Sequence, residues 1–160
     1  MTIKVGDKIP SVKIKHMTKD GVKDITTDEI FGGKKVALFA LPGAFTPTCS
    51  AKHLPGFVAQ AEAIKGKGVD QIACLSVNDA FVMDAWGKAQ NVGEKVMMLA
   101  DGNADFSKAV GLTMDGTGYG MGTRASRYAM IIDNGVVKAL NVEAPGAFEV
   151  SSAEAVMKAL

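Results

Sequence analysis

Very little in this sequence is suited to holding a metal or a framework of disulfides. Its 160 residues contain two cysteines, Cys49 and Cys74, and two histidines, His16 and His53. Two thiols are too few for a disulfide scaffold. None of the four residues stands in Cys-x-x-Cys or His-x-x-x-His spacing, so zinc or iron would find no ligand set. No metal and no cofactor is expected. An excess of charge is missing as well: 18 Lys and Arg balance 17 Asp and Glu, leaving a net charge of +1. No broad field is available to grip phosphate backbones, so nucleic acid is not an expected partner. The longest apolar run, Val36 to Leu41, stops at Pro42-Gly43 and is far short of the roughly 20 residues that cross a bilayer. No membrane contact is expected. The first ten residues mix Lys4, Asp7 and Lys8 with single apolar residues and lack the apolar core of a secretory signal. The expected location is the cytoplasm, or an organelle matrix if a targeting segment has been removed.

What is present is a chain with 48% hydrophobic residues and no linker, repeat or low-complexity tract, which reads as one domain over 1–160. Lys35–Leu41 and Gln71–Val77 are short apolar runs, expected as strands covered on both faces. Between them Cys49–Lys67 reads as one helix, with Leu54, Phe57, Val58, Ala61 and Ile64 at helical spacing and a kink at Pro55. A helix over Ala80–Gln90, carrying Phe81, Met83, Ala85 and Trp86, leads to a strand at Val96–Ala100 and a short helix at Asp105–Val110. Then Tyr128–Asp133 and Val136–Val142 flank Asp133-Asn134-Gly135, the turn chemistry of a tight antiparallel hairpin. The last helix starts in a capping box, Ser151-Ser152-Ala153-Glu154, with Ser151 as cap and Val156, Met157 and Leu160 buried. The order is that of a thioredoxin-like α/β fold: a central mixed sheet flanked by helices, closing with a C-terminal β-hairpin and helix. The charged segment Lys13–Lys23 reads as a solvated edge strand and turn.

Chemistry concentrates at Leu41–Ser50, LPGAFTPTCS, just beyond the carboxyl end of a buried strand, where open α/β sheets place their sites. Thr46 is suited to cap the next helix and Pro47 to its first position. Cys49 then falls at the third position, where free backbone N–H groups and the positive dipole end face the sulfur and favour thiolate. A cation would complete the activation. Arg124 and Arg127, in GTRASRY, are the available donors, and Arg127 is preferred because it abuts a strand. A cysteine near a helix start is also what a small core residue looks like. The surroundings separate the two readings: Thr46-x-x-Cys49 stands where a thioredoxin-like fold carries Cys-x-x-Cys, with a hydroxyl in place of the first thiol. That hydroxyl cannot form a disulfide but can orient a peroxide oxygen against the sulfur.

At this level the chain resembles the peroxiredoxins, and within them the type II subfamily of the plant and bacterial glutaredoxin-dependent kind. The resemblance is carried by PGAFTPTCS at 42–50, HLPGF at 53–57, CLSVNDAFV at 74–82, LADG at 99–102 and RYAMIIDNGVVKALNVE at 127–143, nearly the whole chain. It implies that Cys49 is the peroxidatic cysteine, Thr46 its hydroxyl partner, Pro42 the residue that shapes the pocket and Arg127 the guanidinium beside the sulfur. It further implies reduction of hydrogen peroxide and organic hydroperoxides through a Cys49 sulfenic acid, and a homodimer.

Some members carry a resolving cysteine near the C-terminal helix, where this chain reads Phe148-Glu149-Val150-Ser151-Ser152. Cys74 sits in an apolar run and reads as a core residue, so the expected reductant is an external thiol, glutathione with glutaredoxin ahead of thioredoxin. His53 is read as a packing or hydrogen-bonding helix residue and left out of the catalytic set. The cluster GTGYGMG lacks dinucleotide-fingerprint spacing and is read as a flexible loop. Met97 and Met98 are read as core filling. Two alternatives share the same residues: a redox sensor or interaction module controlled by Cys49 oxidation, and a general thiol-disulfide oxidoreductase, which would need a second nearby thiol.

Overall fold

The computed structural model describes residues 2–160. Its centre is a seven-stranded mixed sheet in the order β2-β1-β5-β4-β3-β8-β9. Strands β3 (Lys35–Ala40), β4 (Gln71–Ser76) and β5 (Met97–Ala100) run parallel. Strand β8 (Tyr128–Asp133) joins β3 antiparallel and is followed by β9 (Val136–Val142). On the other side β1 (Lys13–Thr18) pairs with both β5 and β2 (Gly21–Thr26), so of the charged segment only β2 is the sheet edge.

The two faces of the central strands follow from period-two alternation. Ala37 and Phe39, Ile72 and Cys74, and Ala129 and Ile131 enter one core. Val36, Leu38 and Ala40, Ala73 and Leu75, and Tyr128, Met130 and Ile132 enter the other. The first core is closed by α2 (Leu54–Ala59), α3 (Ala61–Gly66), α4 (Ala80–Ala89) and α6 (Ala153–Ala159). The second is closed by α1 (Thr27–Phe31) and α5 (Asp105–Val110). Each buried Phe or Leu contributes about 1.5–3 kcal/mol relative to exposure. The hairpin turn places Asn134 and Gly135 at φ of 48° and 80°, left-handed values that these two residues adopt readily.

Four local expectations are corrected. The helix after Cys49 is not continuous to Lys67. It opens at residue 47, winds as a π-helical turn over Cys49–His53, continues as α2 and breaks at Gln60 before α3. Pro55 causes no kink of its own, because it lies in the first turn of α2, while the Leu54 amide reaches five residues back to the Cys49 carbonyl. The wider turn relieves the ladder where proline has no donor to offer. The inward face of α4 is Ala80, Met83, Trp86 and Gly87, and Phe81 and Ala85 point to solvent. The glycine cluster is a two-stranded ribbon, β6 (Thr113–Asp115) and β7 (Thr123–Ala125), around a 3-10 turn at Thr117–Tyr119. Gly116 is required there: a Cβ would sit 2.9 Å from the Gly122 carbonyl oxygen. The cap of α6 is Ser152, whose hydroxyl accepts from the Ala155 amide, because the Ser151 hydroxyl is committed to Glu143.

Candidate active site

The loop that leaves β3 carries Pro42, half-buried, and then turns tightly enough that the Thr46 amide donates to the Gly43 carbonyl. Thr46 occupies the cap position of the following helix, and its carbonyl accepts from the Ser50 amide at 2.9 Å. Its side chain does not cap. The hydroxyl donates to the Gly43 carbonyl at 2.7 Å, which commits its proton and leaves oxygen lone pairs to accept from another group. Gly43 has little room for a side chain: a Cβ would lie 3.2 Å from Thr46 Cγ2 and 3.5 Å from Arg124 Nη1.

Cys49 lies in the first turn, fully buried against the first core. Arg127, one residue before β8, extends its guanidinium into the same space. Nη2 donates to Cys49 Sγ at 3.1 Å and Nη1 contacts His53 Nδ1 at 2.8 Å. Since arginine only donates, Nδ1 is the acceptor and the proton of a neutral imidazole resides on Nε2. That nitrogen donates to the Ser151 carbonyl at 2.9 Å. Burial, followed by the charge of Arg127, pushes the His53 pKa down to about 3, so the ring is neutral throughout the physiological range. The ring packs 5.0 Å from Phe39 and edge-on at 5.0 Å to Phe148, which also lies 5.9 Å from the guanidinium carbon.

The other arginine serves the loops. Arg124 donates from Nε to the Met121 carbonyl and from Nη1 to the Val77 carbonyl, both at 2.9 Å, tying the glycine ribbon to the end of β4. Cys74 enters the same core as Cys49 from the middle of β4, and neither is in a disulfide. Burial, with a smaller contribution from Cys49, raises the Cys74 thiol well above its ordinary range. It is a neutral, enclosed thiol. Next to Cys49, Ser50 is held by α4: Trp86 Nε1 donates to its hydroxyl at 3.0 Å and Gln90 Nε2 to its carbonyl at 3.1 Å.

Sequence reasoning passed over two participants. His53 was assigned a hydrogen-bonding role without a partner, and Glu143 was not singled out, although its carboxylate receives the amides of Glu149, Val150 and Ser151. Among the described residues no cluster of three or more His, Cys, Asp or Glu is placed to hold a metal, and no helix is long and apolar enough to cross a membrane.

A thioredoxin-like sheet with a cysteine at the start of a helix and a guanidinium against its sulfur defines a thiol-based redox protein. Residues 4–157 match the Redoxin family model. Peroxiredoxin-2E, chloroplastic, of Arabidopsis thaliana is 50% identical over 99% of this chain and 70% of its own length, and peroxiredoxin-2C of the same plant is 46% identical over 99% and 98%. Among solved structures, reduced Prx3 of Vibrio vulnificus in complex with H2O2 superposes with a TM-score of 0.96 at 57% identity, covering 99% of each chain. The chain belongs to the redoxin family and is a peroxiredoxin of the type II kind, a thiol-dependent peroxidase.

Proposed function

We propose that Cys49 is the peroxidatic residue, that Thr46 and Arg127 orient and polarise the peroxide, that Pro42 shapes the pocket mouth, and that an external thiol closes the cycle. The observation that carries this reading is the guanidinium of Arg127 donating to Cys49 Sγ. In the first half-reaction the Cys49 thiolate attacks one oxygen of ROOH. An S–O bond forms, the O–O bond breaks, sulfur is oxidised by two electrons, and the leaving RO⁻ takes up a proton to depart as alcohol or water. Thr46, its own proton committed to Gly43, accepts from the peroxide hydroxyl and sets its approach. As charge moves to the leaving oxygen, the guanidinium beside Sγ stabilises it, aided by the positive end of the helical turn. Cys49 is buried, so the bulkier attacking thiol of the second half-reaction needs local opening around its helical turn.

In the second half-reaction a thiol attacks the sulfenic acid, giving a mixed disulfide and water, and a second thiol releases Cys49 as thiolate. Cys74 is poorly suited to resolve it, being enclosed and held as a neutral thiol. Glutathione with glutaredoxin is the proposed donor, with thioredoxin second. A homodimer is proposed from the resemblance to the peroxiredoxins, and the cytoplasm is the proposed location.

The test is intact mass after just under one equivalent of H2O2 is added to the reduced protein with no other thiol. Gain of one oxygen, mapped to Cys49, is the expected result. Loss of two hydrogens without dimerisation would make Cys74 the resolving partner, and no oxidation of Cys49 would remove it from the reaction.

A further inference from the structure

Glu143 follows β9 and is almost fully buried, an unusual place for a carboxylate outside the reacting pair. Four donors converge on it. The Glu149 amide reaches both oxygens at 2.9 and 2.8 Å, the Val150 and Ser151 amides reach Oε2 at 2.8 Å each, and the Ser151 hydroxyl reaches the same oxygen at 2.6 Å. Such a cradle favours the charged carboxylate, because three of its donors are amides that cannot accept and the Ser151 hydroxyl turns its proton toward Oε2. Burial works against the ionised form, but the Ser151 hydroxyl and the three amides outweigh it and hold the pKa below the usual glutamate range.

The segment thus fastened is the one that meets the active-site imidazole. The carbonyl of Ser151 accepts from His53 Nε2, and Phe148 covers the edge of the same ring. His53 Nδ1 in turn accepts from Arg127 Nη1, and Arg127 Nη2 donates to Cys49 Sγ. Glu143 also touches this chain from its other end, since its amide donates to the Arg127 carbonyl at 3.0 Å.

We propose that Glu143 is a positioning residue for Arg127, acting through Ser151 and His53. The carboxylate fixes the Ser151 carbonyl, the carbonyl fixes which nitrogen of His53 bears the proton, and the bare nitrogen fixes the guanidinium against the sulfur. The inference rests on the peroxidase reading above and concerns its first half-reaction. Replacing the carboxylate by an amide leaves one oxygen for the donors that meet Oε2, but it removes the charge they were gathered around and sets NH2 against the Glu149 amide, so the anchor of residues 149–151 is loosened. A ring released from the Ser151 carbonyl is free to take the other tautomer, which presents N–H to the guanidinium and pushes it from Cys49.

The test is the second-order rate constant for Cys49 oxidation, measured on the full chain by competition with a haem peroxidase for H2O2. Wild type, Glu143→Gln, Ser151→Ala, His53→Ala and the two double variants with His53→Ala are compared well below their unfolding midpoints. Glu143→Gln is expected to lower the rate constant about tenfold, the scale of a displaced catalytic donor, and Ser151→Ala by a smaller factor in the same direction. In the His53→Ala background neither change should slow the reaction further, because residues that act in series are not additive. A merely structural role would lower the unfolding temperature while leaving the rate or the additivity intact. Wild-type rates in Glu143→Gln, or single effects that multiply in the double variant, would overturn the proposal. If Glu143→Gln does not fold, the Ser151→Ala and His53→Ala cycle decides by the same criterion. An inert wild-type Cys49 would instead defeat the peroxidase reading.

Discussion

Replacing Arg127 by lysine keeps the positive charge and removes the fork, which makes it the sharpest perturbation of the site. The guanidinium serves two partners from two nitrogens, Sγ at 3.1 Å and His53 Nδ1 at 2.8 Å. A lysine ammonium is a single point on a flexible stem and satisfies one of them at a time. If it stays with the imidazole, the leaving oxygen loses a donor. Removing one such donor costs about 2.7–4 kcal/mol of transition-state stabilisation, a factor of about 10²–10³ in rate. The retained charge recovers part of that, so the expected fall in the second-order rate constant with H2O2 is about a hundredfold. If the ammonium moves to the sulfur, the buried Nδ1 is left without a donor at about 1–3 kcal/mol of stability, or roughly 2–4 °C of unfolding temperature for each kcal/mol in a chain of this size. The peroxidase competition assay at neutral pH and a thermal melt on the same sample read both quantities. A rate constant within twofold of wild type would refute the assignment of the fork to the leaving oxygen.

Cys74→Ser should leave both the one-oxygen mass gain and glutathione-coupled turnover intact; loss of turnover with normal first oxidation would make the enclosed thiol a participant. Acid should destabilise the fold through His53, since a pKa held near 3 in the folded state against 6.5 means that the unfolded chain binds a proton the native ring refuses. Stability attributable to this residue is therefore complete above pH 6.5 and declines by up to about 1.4 kcal/mol per unit below it, so denaturant midpoints for wild type and His53→Gln should converge as pH falls from 6.5 to 5. Parallel midpoints would show that His53 is not responsible. Tyr128→Phe should be neutral or stabilising by up to about 1 kcal/mol, because the buried hydroxyl has no hydrogen-bond partner. A destabilised variant would mean that the hydroxyl has found one.

The central strands, α4, α5 and the C-terminal hairpin were legible because each is announced locally, as by the apolar run of β3, the Asn134-Gly135 turn and the spacing of Met83 and Trp86, whereas α1 and the ribbon of β6 and β7 are too short to carry such a pattern. Cys49 and Arg127 could be paired in advance because one marks a helix start and the other a strand start, two positions that topology brings together. His53 and Glu143 were not legible in their roles. The Ser151 carbonyl lies 98 residues from His53, and Glu143 is met by successive backbone amides of a loop six to eight residues on, whose turn carries no side-chain signature. The cap of α6 has a related cause: Ser151 and Ser152 both stand at the helix start, and the Glu143 carboxylate, eight residues before Ser151, takes the Ser151 hydroxyl and leaves Ser152 to cap. The π turn was hidden because Pro55 announces a missing donor without saying whether the backbone will bend or widen.

The bond from Trp86 to the Ser50 hydroxyl has a practical consequence. The chain has a single tryptophan, and its indole is tethered to the residue adjoining Cys49. Any event that loosens the first turn of that helix alters the polarity and hydrogen bonding around one chromophore whose identity is not in doubt. Emission from the unmodified protein is thus a stopwatch for opening and closing at the sulfur, with no label attached and no second fluorophore of its kind to confuse the trace.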